Sequence, residues 1–140
     1  MDDAELTRWL VEQLGSIDGW VWSADGPYDL AADVTHLYEG PIPAEARRAV
    51  GVRVFGGSDD EETETKTRRV QLRSRGDEGD PNGANRVADA AFAHLRRLLR
   101  EGFVSAITRT SFDPAGVDQN GRESRTDNYL IIFDNEEAPS

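Results

Sequence analysis

Cysteine is absent from this chain of 140 residues, which excludes disulfides, thiolate metal sites and cysteine nucleophiles. Histidine is almost absent too, since His36 and His94 are the only two. His36 sits in an irregular stretch with no motif beside it, and His94 falls at the edge of a helical stripe. Neither reads as a metal ligand or a general base. Among the 16 lysines and arginines only Lys66 is lysine. Such usage fits a GC-rich genome, and it also suits the planar, bidentate contacts that arginine makes at protein interfaces. No apolar run approaches the ~18 residues of a membrane span. The acidic, amphipathic start MDDAELTRWL has neither the basic flank nor the apolar stretch of a signal peptide. A soluble protein made in a cytoplasm is therefore expected. Positive charge is scarce overall: the net charge of −11 argues against a protein that grips nucleic acid by its phosphates. Serines lie in loops or at strand ends, with no nucleophile elbow, and abundant carboxylates in an acidic chain mark no site. The chain reads as a non-enzyme that needs no cofactor.

What is present is a modest core with well-punctuated elements. At this length, with 37% hydrophobic and 31% charged residues, one domain over residues 1–140 is expected. Residues 2–14 read as a first helix, with Leu6, Leu10, Leu14 and Ile17 on one stripe, Trp9 at its edge, and Gly15 placed to end it. From 19 to 43 the pattern loosens, and Trp20, Trp22, Tyr28 and Tyr38 are scattered among Gly, Pro and Asp, which suggests short extended pieces joined by turns. These aromatics either plug a small core or anchor an interface. AVGVRVFGG (49–57) alternates as a strand, with Val50, Val52 and Val54 on one face and Arg53 and Phe55 on the other. SDDEETETKT (58–67) has no apolar residue and reads as an acidic loop, either a solvated hairpin tip or a mobile one. Its acids lack a spaced metal-ligand pattern. RRVQLRS (68–74) is the next strand, with Val70 and Leu72 on one face.

GDEGDPNG (76–83) has the look of a calcium loop, but the spacing fails: Asp77, Asp80 and Asn82 do not fit, and Ala88 stands where the twelfth-position Glu belongs. It reads instead as a turn that caps a helix over 84–100. In that helix Ala84, Val87, Ala88, Ala91, Phe92, Leu95, Leu98 and Leu99 fill one wide sector, opposite Arg86, Asp89, Arg96, Arg97 and Arg100. So wide a stripe suits packing on a sheet. Gly102 ends the helix. FVSAITRTSF (103–112) and TDNYLIIF (126–133) read as strands joined by a long polar turn over 113–125, and the tail 134–140 as frayed.

The order of these elements resembles the tail terminator and minor capsid or tail-completion (neck) proteins of long-tailed bacteriophages, especially those of actinobacterial hosts. The resemblance covers about 40–133 and rests on VQLRSRG leading through a turn into ANRVADAAFAHL, with PIPAEARRAVGVRVFGG ahead of it and RTDNYLIIF closing. The acidic insertion at 58–67 departs from the pattern. The resemblance implies an α+β fold: a twisted, mainly antiparallel sheet of about four strands with two α-helices packed against it. It also implies a structural virion protein at the tail–neck junction. Such proteins form a homohexameric ring that caps the tail tube and joins it to neck and head–tail connector proteins. DNA passes through the bore without specific binding, and no membrane is involved. A head-side stopper, another neck subunit, or a small adaptor for one protein partner are the alternatives.

A cyclic ring needs two unlike patches that meet head to tail. Two sets in the sequence have that character. One is basic: Arg86, Arg96, Arg97 and Arg100 of the second helix, with Arg73 and Arg75 of the strand before it. The other is acidic: Asp59, Asp60, Glu61, Glu62 and Glu64. Tyr28 or Tyr38 would add apolar contact.

Overall fold

Helix α1 spans Asp3–Leu14, and its start is set by Asp2, whose side chain accepts a hydrogen bond from the Glu5 N–H at 2.7 Å. Asp3 and Glu5 fill the first turn, where the helix dipole favours acids. Leu6, Leu10, Val11 and Leu14 are buried on one side of it. Gly15 ends it in a right-handed conformation, so its smallness serves contact rather than handedness: a Cβ there would lie 3.3 Å from the Trp22 Cβ.

The computed structural model describes residues 1–98 and 104–134. After α1 come β1 (Trp20–Val21), β2 (Thr35–Glu39), β3 (Ala49–Asp60), β4 (Thr65–Glu78), α2 (Gly83–Arg97), β5 (Val104–Val117) and β6 (Arg122–Asp134). The strands form one sheet in the order β1-β2-β3-β4-β6-β5. β1, β2 and β3 run parallel, and the remaining pairs are antiparallel. The sheet is thus mixed and six-stranded, which corrects the expected four mainly antiparallel strands. The two extra strands come from the loose stretch 19–43. They read only as short extended pieces and not as sheet strands, because β1 has two residues and because Thr35, His36 and Leu37 of β2 are all buried and show no alternation.

Both helices lie on one face. α1 packs on β2 and β3, and α2 on β4, β6 and β5. Between them and the sheet sit Val50, Val52, Val70, Leu72, Tyr129, Ile131 and Phe133, all at most 1% exposed. The turn from β4 into α2 works through a backbone crossing: a Cβ on Gly76 would meet the Gly83 carbon at 2.6 Å, and one on Gly83 would meet the Gly76 Cα at 2.9 Å. Glycine at both positions lets the helix start directly against the strand it packs on.

Several boundaries move. The acidic segment 58–67 is a hairpin end, with the ladder running to the pair Asp60 and Thr65 and a turn at Glu61–Glu64. The supposed long polar turn 113–125 is mostly strand: β5 reaches Val117, β6 begins at Arg122, and only 118–121 turns. Leu99, Arg100 and Gly102 lie outside the described residues, as does the tail beyond Asp134. The two hairpin ends point in opposite directions, because β4 pairs Thr65 with Asp134 at one end and Glu78 with Arg122 at the other.

Candidate interaction surfaces

The side chains of β4 alternate, and that splits the basic set read from the sequence. Leu72 and Ser74 face the helices, so Arg73 and Arg75 face away from them. Arg86, Arg96 and Arg97 sit on the outer side of α2. They cannot form one patch with Arg73 and Arg75, and Arg100 is outside the described residues. Arg86 pairs with Asp80, Arg96 lies over the Phe92 ring at 5.4 Å, and Arg97 is exposed.

Arg75 is not a surface residue at all. It is 9% exposed, and its guanidinium donates to the carbonyls of Pro43 (2.9 Å) and Ala46 (3.1 Å). Arg122, 6% exposed, donates to the carbonyls of Ala44 (2.7 Å) and Ala46 and pairs with Asp118 at 2.7 Å. Together these arginines clamp the segment 40–48 across the helix-free face of the sheet. Burial, with Arg122 adding repulsion, pulls Arg75 below the usual guanidinium value. Asp118 is held below the usual carboxylate value, first by the Arg122 backbone N–H. The strap is tight where it crosses β3: a Cβ on Gly51 would lie 2.4 Å from the Gly40 carbonyl oxygen.

Beside the strap runs a groove of about 340 Å³ lined by Gly40, Pro41, Ile42, Gly51, Arg53, Gln71, Arg73 and Arg75. Three of these are arginines and none is acidic. Beyond it no element among the described residues covers the helix-free face of β3, β4, β6 and β5. It carries exposed Phe55 under Arg69 (5.8 Å to the ring), half-buried Leu130 and Ile132, and a polar ladder from Gln71 through Asn128 to Ser111. Arg53, Arg69 and Arg73 form no ion pair among the described residues.

The acidic set stays together at the β3–β4 hairpin end, but its members differ. Asp59 pairs with Arg68 at 2.7 Å, and Arg68 also holds Asp3 at 2.6 Å, which ties the hairpin to the start of α1. The hydrogen bond from Arg68 keeps Asp59 below the usual carboxylate value. Asp60 accepts from the backbone N–H groups of Glu62 and Thr63 and is lowered by them. Glu61, Glu62 and Glu64 are exposed and pair with no cation among the described residues.

The tyrosines are largely used inside the fold. Tyr28 stacks on buried His36 at 4.4 Å and donates from its hydroxyl to the Leu37 carbonyl at 2.7 Å. Tyr38 meets Tyr28 edge-on at 5.3 Å, and both are half-buried. Trp20 and Trp22 pack against the core from its margin. On the helix side, Asp127 is 1% exposed and accepts from Arg125 at 2.8 and 3.1 Å and from Arg109 at 3.4 Å. Arg109 also lies 3.9 Å from the Phe92 ring, and Arg125 lies 4.2 Å from the ring of exposed Phe112.

Sequence reasoning missed Arg53, Arg69 and Arg122. The alternation of VGVRVF already turns Arg53 and Phe55 away from the valines, but nothing in it says that this face lacks a covering layer. For Arg122, in a polar run, no sequence signal exists. Among the described residues no group of acids or histidines is arranged to hold a metal, and no helix is long and apolar enough to cross a membrane. The model of a family described as bacteriophage tail terminator protein matches residues 13–135. No curated protein matches the chain.

Proposed function

The chain belongs to the bacteriophage tail terminator family, and from that premise we propose that it acts as a homohexameric ring that caps the tail tube and joins it to the head-proximal neck. Membership makes it a structural virion component that meets other tail or neck proteins, and favours the terminator over the head-side stopper and the free adaptor. The observation that supports a ring is the distribution of exposed large apolar side chains. Phe55 lies on the uncovered sheet face, whereas Phe112 and Val117 lie on the far half of β5, on another part of the surface. Two unlike apolar patches suit a heterologous contact, which closes into a ring when the rotation allows. The net charge of −11 suits a bore through which DNA slides, since an acidic lining repels phosphate. Native mass spectrometry of the chain with tail tubes tests the reading: complexes with six copies at a tube end support it, and a tube-bound monomer or dimer overturns it.

A further inference from the structure

We infer that the arginine groove on the helix-free face receives the acidic β3–β4 turn of a second copy of this chain. The inference rests on the ring reading and names the surfaces that meet in it. Arg53, Arg73 and Arg75 line the groove with no carboxylate among its lining residues. Arg75 is buried, and its Nε–H has no hydrogen-bond acceptor among the described residues. What the groove offers a partner is the exposed Arg53 and Arg73, which form no ion pair among the described residues. The complementary group lies on the same chain but out of reach. Glu61 and Glu62, exposed and without an ion pair among the described residues, sit at the tip of the hairpin whose other end forms the groove floor at Gly51. At ~3.3 Å per residue, β3 puts that tip roughly 30 Å from Gly51. A copy cannot fold its turn back into its own groove, so the pairing is between copies.

The geometry is head to tail: each copy offers a tip at one end of the hairpin and a groove at the other. Such a contact is heterologous and propagates around a ring. The groove holds about 340 Å³, and its floor needs Gly51, because a Cβ there would push on the strap at Gly40. A hairpin turn that projects Glu61 and Glu62 fits such a groove better than a broad surface does. Charged pairs at such a site fix register and partner choice, and the association weakens as salt rises.

The test uses two charge reversals and their mixture. Arg53→Glu with Arg73→Glu reverses the groove, leaving Arg75 in its clamp. Glu61→Arg with Glu62→Arg reverses the turn, leaving Glu64, whose φ is +59°, untouched. All four positions are exposed, so each variant should melt like the parent. Ring formation, with tail tubes present, is read by sedimentation velocity and native mass spectrometry. Each variant alone should associate ~10-fold or more weakly than the parent. An equimolar mixture should recover rings in which the two variants alternate, since each tip then meets a groove of opposite charge. Undiminished rings from the turn variant, or no recovery on mixing, overturn the pairing and leave the ring reading standing. If the groove variant does not fold, undiminished rings from the turn variant alone still decide against it. A parent chain that never forms rings, even with tubes, overturns both.

Discussion

Replacing Arg122 with Met should cost about 2–4 kcal/mol, because Arg122, together with Arg75, anchors the strap on the sheet. Its guanidinium donates to two strap carbonyls, Ala44 and Ala46. A hydrogen bond from a charged donor contributes ~1.5–3 kcal/mol. The pair with Asp118 adds at most ~1 kcal/mol, since that carboxylate is partly exposed. Against this stands the relief of a buried charge and of its repulsion with Arg75, which lies close enough to be pulled down by it. Methionine keeps most of the apolar stem, so the change isolates the polar contacts. In urea the midpoint should fall with an unchanged slope, and the melting temperature should drop by roughly 6–15 °C. A dilute sample keeps subunit association out of the measurement. A loss below ~0.5 kcal/mol would mean that the strap is held by Arg75 and Gly51 alone, and the clamp assignment would be wrong.

Gly51→Ala should cost at least ~1 kcal/mol in the same urea assay, since its Cβ would sit 2.4 Å from the Gly40 oxygen; an unchanged midpoint would mean that the strap yields easily. Phe92→Ala should cost about 2 kcal/mol, less than a fully buried ring, because Phe92 is half-buried between Tyr129 and Arg109. An unaltered melting temperature would contradict its packing. His36 is held below its ordinary pKa by burial, with Arg47 and Arg48 adding to the effect and Asp29 opposing it. Above ~6.5 both states are neutral there, so stability is flat. As the pH falls below that value the unfolded chain takes up a proton that the folded chain refuses, and stability declines until the folded pKa is passed. His36→Gln should therefore shrink the loss measured between pH 7.5 and 5, and equal losses in both proteins would refute the burial argument.

The helices were legible because their stripes are long and their ends are punctuated. Leu6, Leu10 and Leu14 are all buried, and so are Val87, Ala91 and Leu95. The β3 and β4 faces were legible too, since strict alternation at Val50, Val52, Val70 and Leu72 survives in the fold. Three kinds of information were not local enough to read. β2 is buried on both faces, by α1 on one side and Tyr28 on the other, so His36 and Leu37 show no period. The outer half of β5 is exposed, and that of β6 is polar although Arg122, Ser124, Arg125 and Asp127 are buried, so paired backbone there resembles a loop. The clamp depends on partners far apart in sequence: Arg122 reaches back to Ala44 and Ala46. Arg73 and Arg75 follow the outward period of their own strand, so pairing them with the outer face of α2 ignored the pleat.

Whether the chain closes as a ring on the tail tube is decided by cryo-electron microscopy of tail tubes mixed with the purified chain. A single sixfold ring of density should stand at one end of the tube, with the β3–β4 turn of each subunit seated against the helix-free face of its neighbour. Bare tube ends, or density spread along the tube wall without sixfold symmetry, would contradict it.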